Sequence, residues 1–345
     1  PDLLQRLISS ESSTNVYLYL FALRDIVYHL QKNRESHVSQ ALLDQVWDTL
    51  FSLKFKDDMS EEGEKTLVAE CIGRLSIIDP EKYLPALQKN LNSPEASVRR
   101  SVVSGVKYTF GLSLDKYDRL LRPIVVDFLA LMEDSNLGIR QVALSALTSA
   151  IHNKPLLLLP HLSRLLPLLY KETVVNESLI RVVQMGPFKH KVDDGLDLRK
   201  AAYESMFTLA TTLPREWQLN LFKDDQFIDR ILAGLDDDQD IKVLSCVTIA
   251  RIISVDVRVL LSKRPSTGAT TLEELIKKFT AILSVQLKDT ALKQEVENQI
   301  ELERNVIRAS LQIEEAIKEA TSVSDLEFSE WAEFMKSPGI VSASK

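Results

Sequence analysis

The side chains that could perform metal or acid–base chemistry are few in this sequence, and they do not cluster. None of the five histidines pairs in sequence with either cysteine; these residues are His29, His37, His152, His161, His190, Cys71 and Cys246. The sequence has no Gly-rich phosphate loop and no G-x-S-x-G, H-E-x-x-H or Cys-x-x-Cys motif. We therefore expect no catalytic residue, no metal and no cofactor. Only a histidine cluster assembled in three dimensions would favour an enzyme.

The acidic run Asp236-Asp-Asp-Gln-Asp240 superficially resembles a calcium-binding loop. Such a loop has Gly at position six and Glu at position twelve, whereas this sequence has Ile241 and Val247 there. Carboxylates that precede a helix also interact favourably with its N-terminal dipole. The run therefore predicts a solvated turn that caps the following helix.

The composition disfavours several classes of partner. The chain has 345 residues, of which 45% are hydrophobic and 26% are charged, a typical balance for a globular protein. A formal net charge of -7 repels phosphate backbones and anionic lipid surfaces, so we expect neither nucleic acid nor membrane as a partner. The two cysteines lie far apart among apolar residues, which indicates free thiols in a reducing compartment. We expect the protein to be located in the cytoplasm and nucleus.

The elements that carry these residues are predicted to be helices. Apolar residues recur at i, i+3, i+4 and i+7 through most of the chain. Four segments repeat one theme, an acidic or polar turn followed by a base and small residues: 95–103, 134–146, 194–205 and 238–245. Successive bases are 41, 59 and 43 residues apart (Arg99, Arg140, Arg199 and Lys242), and HEAT or armadillo units run to about 40–47 residues. The sequence therefore predicts an all-α HEAT-repeat α-solenoid of about seven helix pairs, with one insertion.

The repeated acid and base predict how the repeats are held together. The acid is expected to cap a helix, and the base in the first turn to pair with that acid or with the acid of a neighbouring repeat. Ala and Ser allow close helix packing. We therefore assign Arg99, Arg140 and Arg199 to the repeat structure and not to an interface.

The predicted domain organisation follows from where the helical period holds. We expect the solenoid over 1–321, with a hairpin insertion near 177–194 inside the fifth repeat. Ser324 and Glu327 form a capping-box pattern ahead of Phe328, Trp331 and Phe334, which predicts a short terminal capping helix over 322–336. We expect the tail, 337–345, to be disordered.

The insertion predicts a two-stranded β-hairpin. Gly186 and Pro187 suit a type II′ turn, because Gly supplies the positive φ and Pro the following negative one. This turn pairs residues on one, mostly apolar face of the ribbon: Met185 with Phe188, Val183 with His190, and Arg181 with Val192. The other face is mostly basic and carries Gln184, Lys189, Val182 and Lys191.

An isolated hairpin is barely stable, so this one must pack on something. It either packs against its own solenoid or reaches a partner, since loops on rigid scaffolds commonly carry function. The second interpretation predicts that partner binding involves Arg181, Val183, Met185, Gly186, Pro187, Phe188, Lys189, His190 and Lys191.

Several runs of residues are more specific than a HEAT array requires. The run from Met185 to Ala202, which contains Gly-Pro-Phe-Lys-His, resembles the C-terminal part of the CAND family. These are the cullin-associated, neddylation-dissociated proteins, also called HEAT-type TATA-binding-protein-interacting proteins. The resemblance runs from about residue 60 to 310 and includes Val68–Leu75 with Ile78–Pro80, His152–Pro155 and Leu169–Thr173. Family members are longer, which implies a C-terminal portion, either cut from a longer chain or encoded as a separate subunit.

The resemblance implies a non-enzymatic binding protein. Family members hold an unneddylated cullin bound to its RING protein, and their C-terminal repeats hold the N-terminal region of the cullin. A projecting hairpin competes with the adaptor and substrate-receptor module, so the protein regulates assembly of cullin–RING ubiquitin ligases. The ribbon from Arg181 to Val192 coincides with that hairpin, and a separate or missing N-terminal portion is a further expected partner. The alternative is a general HEAT scaffold or transport adaptor, which would need no projecting hairpin.

Overall fold

A computed structural model describes residues 2–9, 13–33, 38–55, 62–112, 115–185, 188–288, 291–320, 328–337 and 340. The chain divides into two compact units, Pro1–Leu169 and Tyr170–Lys345. Among the described residues no single helix is long and apolar enough to cross a membrane. One pair bent by 117°, Leu137–Asn153 with Pro155–Glu172, meets the length and composition criteria only jointly.

The first unit is built from helices. They are α1 (Asp2–Ser9), α2 (Ser13–Lys32), α3 (Gln40–Ser52), α4 (Glu62–Ile78), α5 (Pro80–Asn90), α6 (Ala96–Phe110), α7 (Asp115–Leu121), α8 (Val125–Leu129), α9 (Leu137–Asn153) and α10 (Pro155–Leu158). Helix α11 (Leu162–Glu172) begins in this unit. Helices α2, α4, α6 and α9 lie side by side in that order, and the shorter helices pack against them. This arrangement is the layer of second helices that the repeated segments predicted.

The second unit contains the hairpin and the remaining helices. They are β1 (Ile180–Met185), β2 (Phe188–Asp193), α12 (Leu196–Thr212), α13 (Arg215–Leu221), α14 (Asp225–Gly234), α15 (Gln239–Val255), α16 (Thr271–Leu283), α17 (Lys293–Glu319) and α18 (Ser329–Phe334). Helices α12, α15 and α17 lie side by side, with α14 and α16 packed against α15 and α17 respectively.

Helix α9 illustrates how the sequence sets the helix bounds. The side chain of Asn136 accepts a hydrogen bond from the Ile139 N–H and caps the first turn. Ile139, Ala143 and Ala150 recur at helical spacing and are fully buried. The helix ends before Pro155, because proline disfavours helical backbone in the residue that precedes it.

Two glycines allow α4 and α6 to approach closely. A Cβ atom added at Gly73 would lie 2.5 Å from the carbonyl oxygen of Gly105, and one at Gly105 would lie 2.8 Å from a methyl group of Ile72. Neither position has room for a side chain. Close helix packing in the first unit therefore depends on glycine, in addition to the Ala and Ser that the sequence pattern indicated.

An ion pair joins adjacent repeats, which is one of the two pairings predicted for the base in the first turn. Arg99 on α6 donates to both carboxylate oxygens of Asp134, which precedes α9, over 2.7 and 2.9 Å. The prediction that Asp134 itself caps α9 is wrong, because Asn136 is the capping residue. Oδ1 of Asp134 instead accepts from the Asn136 N–H at 2.8 Å, which fixes the turn and aims the carboxylate at Arg99.

The end of the chain is only partly described. Trp331 and Phe334 of α18 are buried, and the ring of Phe334 contacts that of Phe279. The predicted capping box, Ser324 with Glu327, lies outside the described residues. Of the predicted disordered tail, 337–345, only Ser337 and Ile340 are described, and Ile340 is buried. The predicted domain boundaries stay predictions.

Candidate functional site: a rooted β-hairpin

The hairpin lies in the second unit and has the predicted register. Strands β1 and β2 are antiparallel, and the register pairs Met185 with Phe188, Val183 with His190, and Arg181 with Val192. The predicted turn residues, Gly186 and Pro187, lie outside the described residues. The side chains of Met185, Phe188 and His190 are also outside the description, so only their strand positions are known.

A carboxylate–guanidinium clamp closes the base of the ribbon. Arg181 donates from Nε and Nη2 to the two oxygens of Asp194, over 2.7 and 3.1 Å. The Asp194 N–H donates to the carbonyl of Leu179 at 3.1 Å. The hydrogen bond from Arg181 lowers the pKa of Asp194, and this pairing ties the first strand to the residue that follows the second. Arg181, predicted as a partner-binding residue, therefore has an intramolecular partner.

A second acid fixes the end of β2 to the following helix. Oδ1 of Asp193 accepts from the Gly195 N–H at 2.9 Å, and Oδ2 accepts from Nη1 of Arg199 at 2.7 Å. Gly195 is buried, and a Cβ atom there would lie 3.1 Å from Leu179 and 3.3 Å from Asp193. The run Asp193-Asp194-Gly195 thus leads directly from the ribbon into α12.

Arg199 connects this root to the next repeat. Its side chain is only 5% exposed, and it also donates from Nε and Nη2 to Asp237 over 3.0 and 2.9 Å. Burial lowers the pKa of Arg199, but the hydrogen bonds that it donates to Asp237 and Asp193 raise the pKa well above its usual range. The buried guanidinium therefore stays charged, with hydrogen bonds to two carboxylates. Arg199 therefore pairs both within its own repeat, with Asp193, and with the next repeat, through Asp237.

Beyond its root the ribbon is largely exposed. Val182 is 66% exposed, and Gln184, Lys189 and Lys191 are exposed on the same face. Val183 and Val192, on the opposite face, are half-buried. Within the described part of the chain the strands pair mainly with each other, and no helix packs broadly against them. A basic, exposed ribbon whose ends are held by ion pairs is an arrangement suited to contact another molecule.

The residues that hold the root were not predicted as a group from the sequence. Arg199 was assigned to the repeat structure, Asp194 was expected to cap α12, and Asp193 was not singled out. The cap of α12 is Gly195, so the prediction for Asp194 is wrong. The sequence signal was present: an Asp-Asp-Gly run directly between a strand and a helix places two carboxylates where turn N–H groups and the helix bases can reach them.

The described residues were compared with the requirements of a metal site and of a reactive thiol. There, no group of three or more His, Cys, Asp or Glu side chains is arranged to hold a metal ion. Burial raises the pKa of the Cys71 and Cys246 thiols to about 12, so both are protonated near neutral pH. In the acidic run, Asp238 caps α15 by accepting from the Asp240 N–H, and Asp237 binds Arg199. The predicted capping turn is confirmed.

The fold and the site define a class: an all-α, HEAT-type helical-repeat protein that carries one hairpin insertion. The structure of yeast importin-beta (Kap95p) matches 97% of this chain with a TM-score of 0.60 at 10% identity, and this chain covers 39% of that structure. At such low identity the likeness concerns the fold alone. The model of a family described as TATA-binding protein interacting (TIP20) matches residues 157–338, which contain the hairpin. The chain belongs to this family.

Curated relatives agree with this assignment. The chain is 35% identical over 327 residues to the "Cullin-associated NEDD8-dissociated protein 1, C-terminal part" of Emericella nidulans, with 94% of this chain and 29% of the relative covered. It is 40% identical over 296 residues to cullin-associated NEDD8-dissociated protein 1 of Drosophila melanogaster, covering 85% of this chain and 22% of the relative. The chain therefore corresponds to a C-terminal portion of these proteins and spans less than a third of their length.

Proposed function

We propose that this chain is the cullin-binding C-terminal portion of an exchange factor for cullin–RING ubiquitin ligases. The observation that carries the proposal is the rooted, exposed hairpin in a chain whose relatives are named as cullin-associated. The chain would hold the N-terminal region of an unneddylated cullin, and the hairpin would compete with the adaptor and substrate-receptor module. No catalytic residue is required for this activity.

The root supports the proposal because the hairpin must keep its position when it contacts a cullin that already holds the adaptor and substrate-receptor module. An exposed pair, Arg181 with Asp194, and a pair with a buried guanidinium, Arg199 with Asp193, hold the two strand ends. A ribbon held in this way loses less conformational freedom on binding than a free loop would. Two ligands that overlap on one cullin weaken each other by the same factor, so a transient ternary complex speeds the release of either.

Individual hairpin residues take distinct roles in this proposal. Met185 and Phe188 would be the apolar anchors next to the turn at Gly186 and Pro187. Lys189, His190 and Lys191 would face polar or acidic surface of the partner. Val183, which is half-buried, would support the anchors from the same face of the ribbon. Arg181 would act through the root, since its guanidinium is paired with Asp194.

The first experiment asks whether the chain binds the partner at all. The chain, alone and together with the N-terminal portion of a relative, is titrated calorimetrically against an unneddylated cullin–RING complex and against the same complex after neddylation. We expect binding to the unmodified complex and a marked loss on neddylation. If no unmodified cullin is bound in either arrangement, the exchange-factor proposal fails and a general HEAT scaffold becomes the better interpretation.

The proposed place of action is the cytoplasm and nucleus. The two cysteines are buried, unpaired thiols, in keeping with a reducing compartment. Fluorescence imaging of the tagged full-length protein tests this expectation, and accumulation in the secretory pathway would contradict it.

A further inference from the structure

A groove between α12, α15 and α17 lies close in sequence and structure to the hairpin root, and the proposed function does not use it. It encloses about 550 Å³. Residues that line it are Lys200 and Glu204 of α12, Asp238, Asp240 and Val247 at or in α15, and Glu301 of α17. All of them belong to the second unit.

The groove has a strong excess of negative charge. Four carboxylates line it with one ammonium group, that of Lys200. Lys200 pairs with Asp240 at 2.6 Å and with Asp238 at 3.4 Å. Glu204 and Glu301 are exposed, and in the described part of the chain neither carboxylate has an ion-pair partner. A cationic ligand would find two carboxylates open to it, one on α12 and one on α17.

An apolar strip runs between these charges. Val243 and Leu244 are half-buried, and Val247 is 40% exposed although its neighbours Cys246 and Ile249 are fully buried. A single exposed valine is common on protein surfaces. Here the valine lies in a concave groove, where an apolar ligand side chain can be covered on several sides.

Arg199 contacts both the end of the hairpin and the turn beside the groove. The side-chain amide of Gln239 donates to the carbonyl of Asn298, which ties the start of α15 to α17. Asp237, the neighbour of Asp238, is held by Arg199, and Arg199 also holds Asp193 at the end of β2. One buried guanidinium therefore sets the relative positions of the ribbon and one end of the groove.

We propose that this groove is a docking site for a basic segment of a protein partner. Lysine or arginine side chains of the segment would pair with Glu204 and Glu301, and an apolar side chain would cover Val247. Charge complementarity selects this occupant, because an acidic or neutral segment would leave the two carboxylates unpaired. The inference rests on the proposed function in one respect: the segment belongs to the partner that the hairpin contacts. The basic hairpin and the acidic groove then fix the partner's orientation through opposite charges.

A labelled peptide tests the groove directly. Fluorescence anisotropy of the full chain is measured with a fluorescein-tagged KKLKKLKK peptide and with its EELEELEE counterpart. We expect the lysine peptide alone to bind, and Glu204→Gln/Glu301→Gln to weaken its binding about fivefold. Val247→Ser should weaken it without changing the charge. The matched control, Glu216→Gln/Glu319→Gln, removes two exposed carboxylates outside the groove and should change affinity less than twofold.

The outcomes separate this inference from the proposed function. Equal loss in the groove pair and the control pair, or no binding of the lysine peptide, would overturn the groove as a specific site. Titration of the same variants against a cullin–RING complex tests the shared partner: a comparable loss supports it, and an unchanged affinity overturns it. If the peptide arm succeeds while wild-type chain binds no cullin, the proposed function fails and the basic-segment site stands.

Discussion

Nη1 of Arg199 lies 2.7 Å from Oδ2 of Asp193, so a base inside a repeat helix holds the last residue of a projecting strand. The same guanidinium holds Asp237 of the next repeat turn. Arg99 joins two neighbouring repeats, and Arg199, at the corresponding position, both joins two repeats and holds the hairpin. This dual role of Arg199 makes the hairpin part of the folded unit.

Loss of Arg199 should destabilise the second unit strongly. Arg199→Ala leaves the carboxylates of Asp193 and Asp237 without their shared cation, and removal of one partner from a buried ion pair costs about 3–5 kcal/mol. Arg258, which is 74% exposed and paired with Asp256, provides the control, and Arg258→Ala should cost less than about 1 kcal/mol. Urea denaturation measures both. Equal losses would contradict the role assigned to Arg199.

Asp193→Ala should loosen the ribbon more than the repeats. It removes the acceptor for Gly195 N–H and for Arg199, while Arg199 keeps Asp237. The loss of about 1–3 kcal/mol of local stability should speed amide exchange in both strands by roughly 5- to 150-fold, with exchange in α9 unchanged. Asp197→Ala is the control, since Asp197 is exposed on α12. Unchanged strand exchange in Asp193→Ala would rule out this anchor.

Gly73 and Gly111 should respond oppositely to alanine. A Cβ atom at Gly73 meets the backbone oxygen of Gly105 at 2.5 Å, so Gly73→Ala must separate α4 and α6 and should cost about 1–3 kcal/mol or more. A Cβ atom at Gly111 meets nothing within 4 Å, and its φ of -72° suits any residue, so Gly111→Ala should be neutral or stabilising by up to about 1 kcal/mol. Differential scanning calorimetry distinguishes the two. A Gly73→Ala variant as stable as wild type would contradict the close packing.

Acid should weaken both inter-repeat ion pairs. The hydrogen bond from Arg99 lowers the pKa of Asp134. Burial raises the pKa of Asp237, but hydrogen bonds from Arg199 and the Asp238 N–H outweigh it and lower the pKa overall. Both folded-state values therefore lie below the unfolded value of about 3.9. The stabilisation is complete above about pH 5 and is lost as pH falls through the folded-state pKa values.

Calorimetry at pH 3 to 7 measures this effect. We expect the unfolding temperature to fall below about pH 4, and Asp134→Asn to show a lower temperature at pH 7 with a shallower decline in acid. A wild-type profile and an Asp134→Asn profile that run parallel from pH 7 to 3 would mean that this ion pair does not supply the pH dependence.

Charge reversal on the ribbon should slow association with the proposed partner. Lys189 and Lys191 are exposed on one face, and exposed interface charges act mainly on the association rate and its salt dependence. Lys189→Glu/Lys191→Glu should lower the association rate with a cullin–RING complex by roughly 3- to 10-fold at low salt and less at high salt. Stopped-flow fluorescence measures the rate. Lys223→Glu/Lys288→Glu, on exposed lysines outside the hairpin, should leave it within about twofold; equal slowing in both pairs would exclude a specific contact.

The sequence predicted the backbone of the site better than its support. Period and turn chemistry at Gly186-Pro187 were enough to set the register of the ribbon, because side chains alternate strictly along paired strands. The repeat spacing likewise predicted the HEAT-type fold. The local sequence pattern does not show which of several nearby carboxylates a buried arginine will bind. The pairing of Arg199 with both Asp193 and Asp237 could therefore be seen only in the folded structure.

Helix capping shows the same limit. The theme of an acid before each helix predicted acidic caps, and Asp238 fulfils this prediction. The acids predicted to cap α9 and α12 were Asp134 and Asp194, but their carboxylates bind Arg99 and Arg181, and the N-cap residues are Asn136 and Gly195. The groove beside the root was missed for a related reason. Its carboxylates come from three helices that are separated in sequence, and each looks like an ordinary solvated residue alone.

The most direct test of the central claim is competition between the chain and the adaptor for one cullin–RING complex. Release of a labelled adaptor–receptor module is followed by fluorescence as the chain is added, for wild type, for Met185→Asp/Phe188→Asp, and for the control Leu156→Asp/Leu292→Asp, whose original side chains are exposed outside the hairpin. Circular dichroism checks that each variant is folded. We expect wild type and control to accelerate release, while the folded hairpin variant still binds cullin but no longer displaces the module. Equal acceleration by the hairpin variant would contradict the assignment of the hairpin as the displacing element.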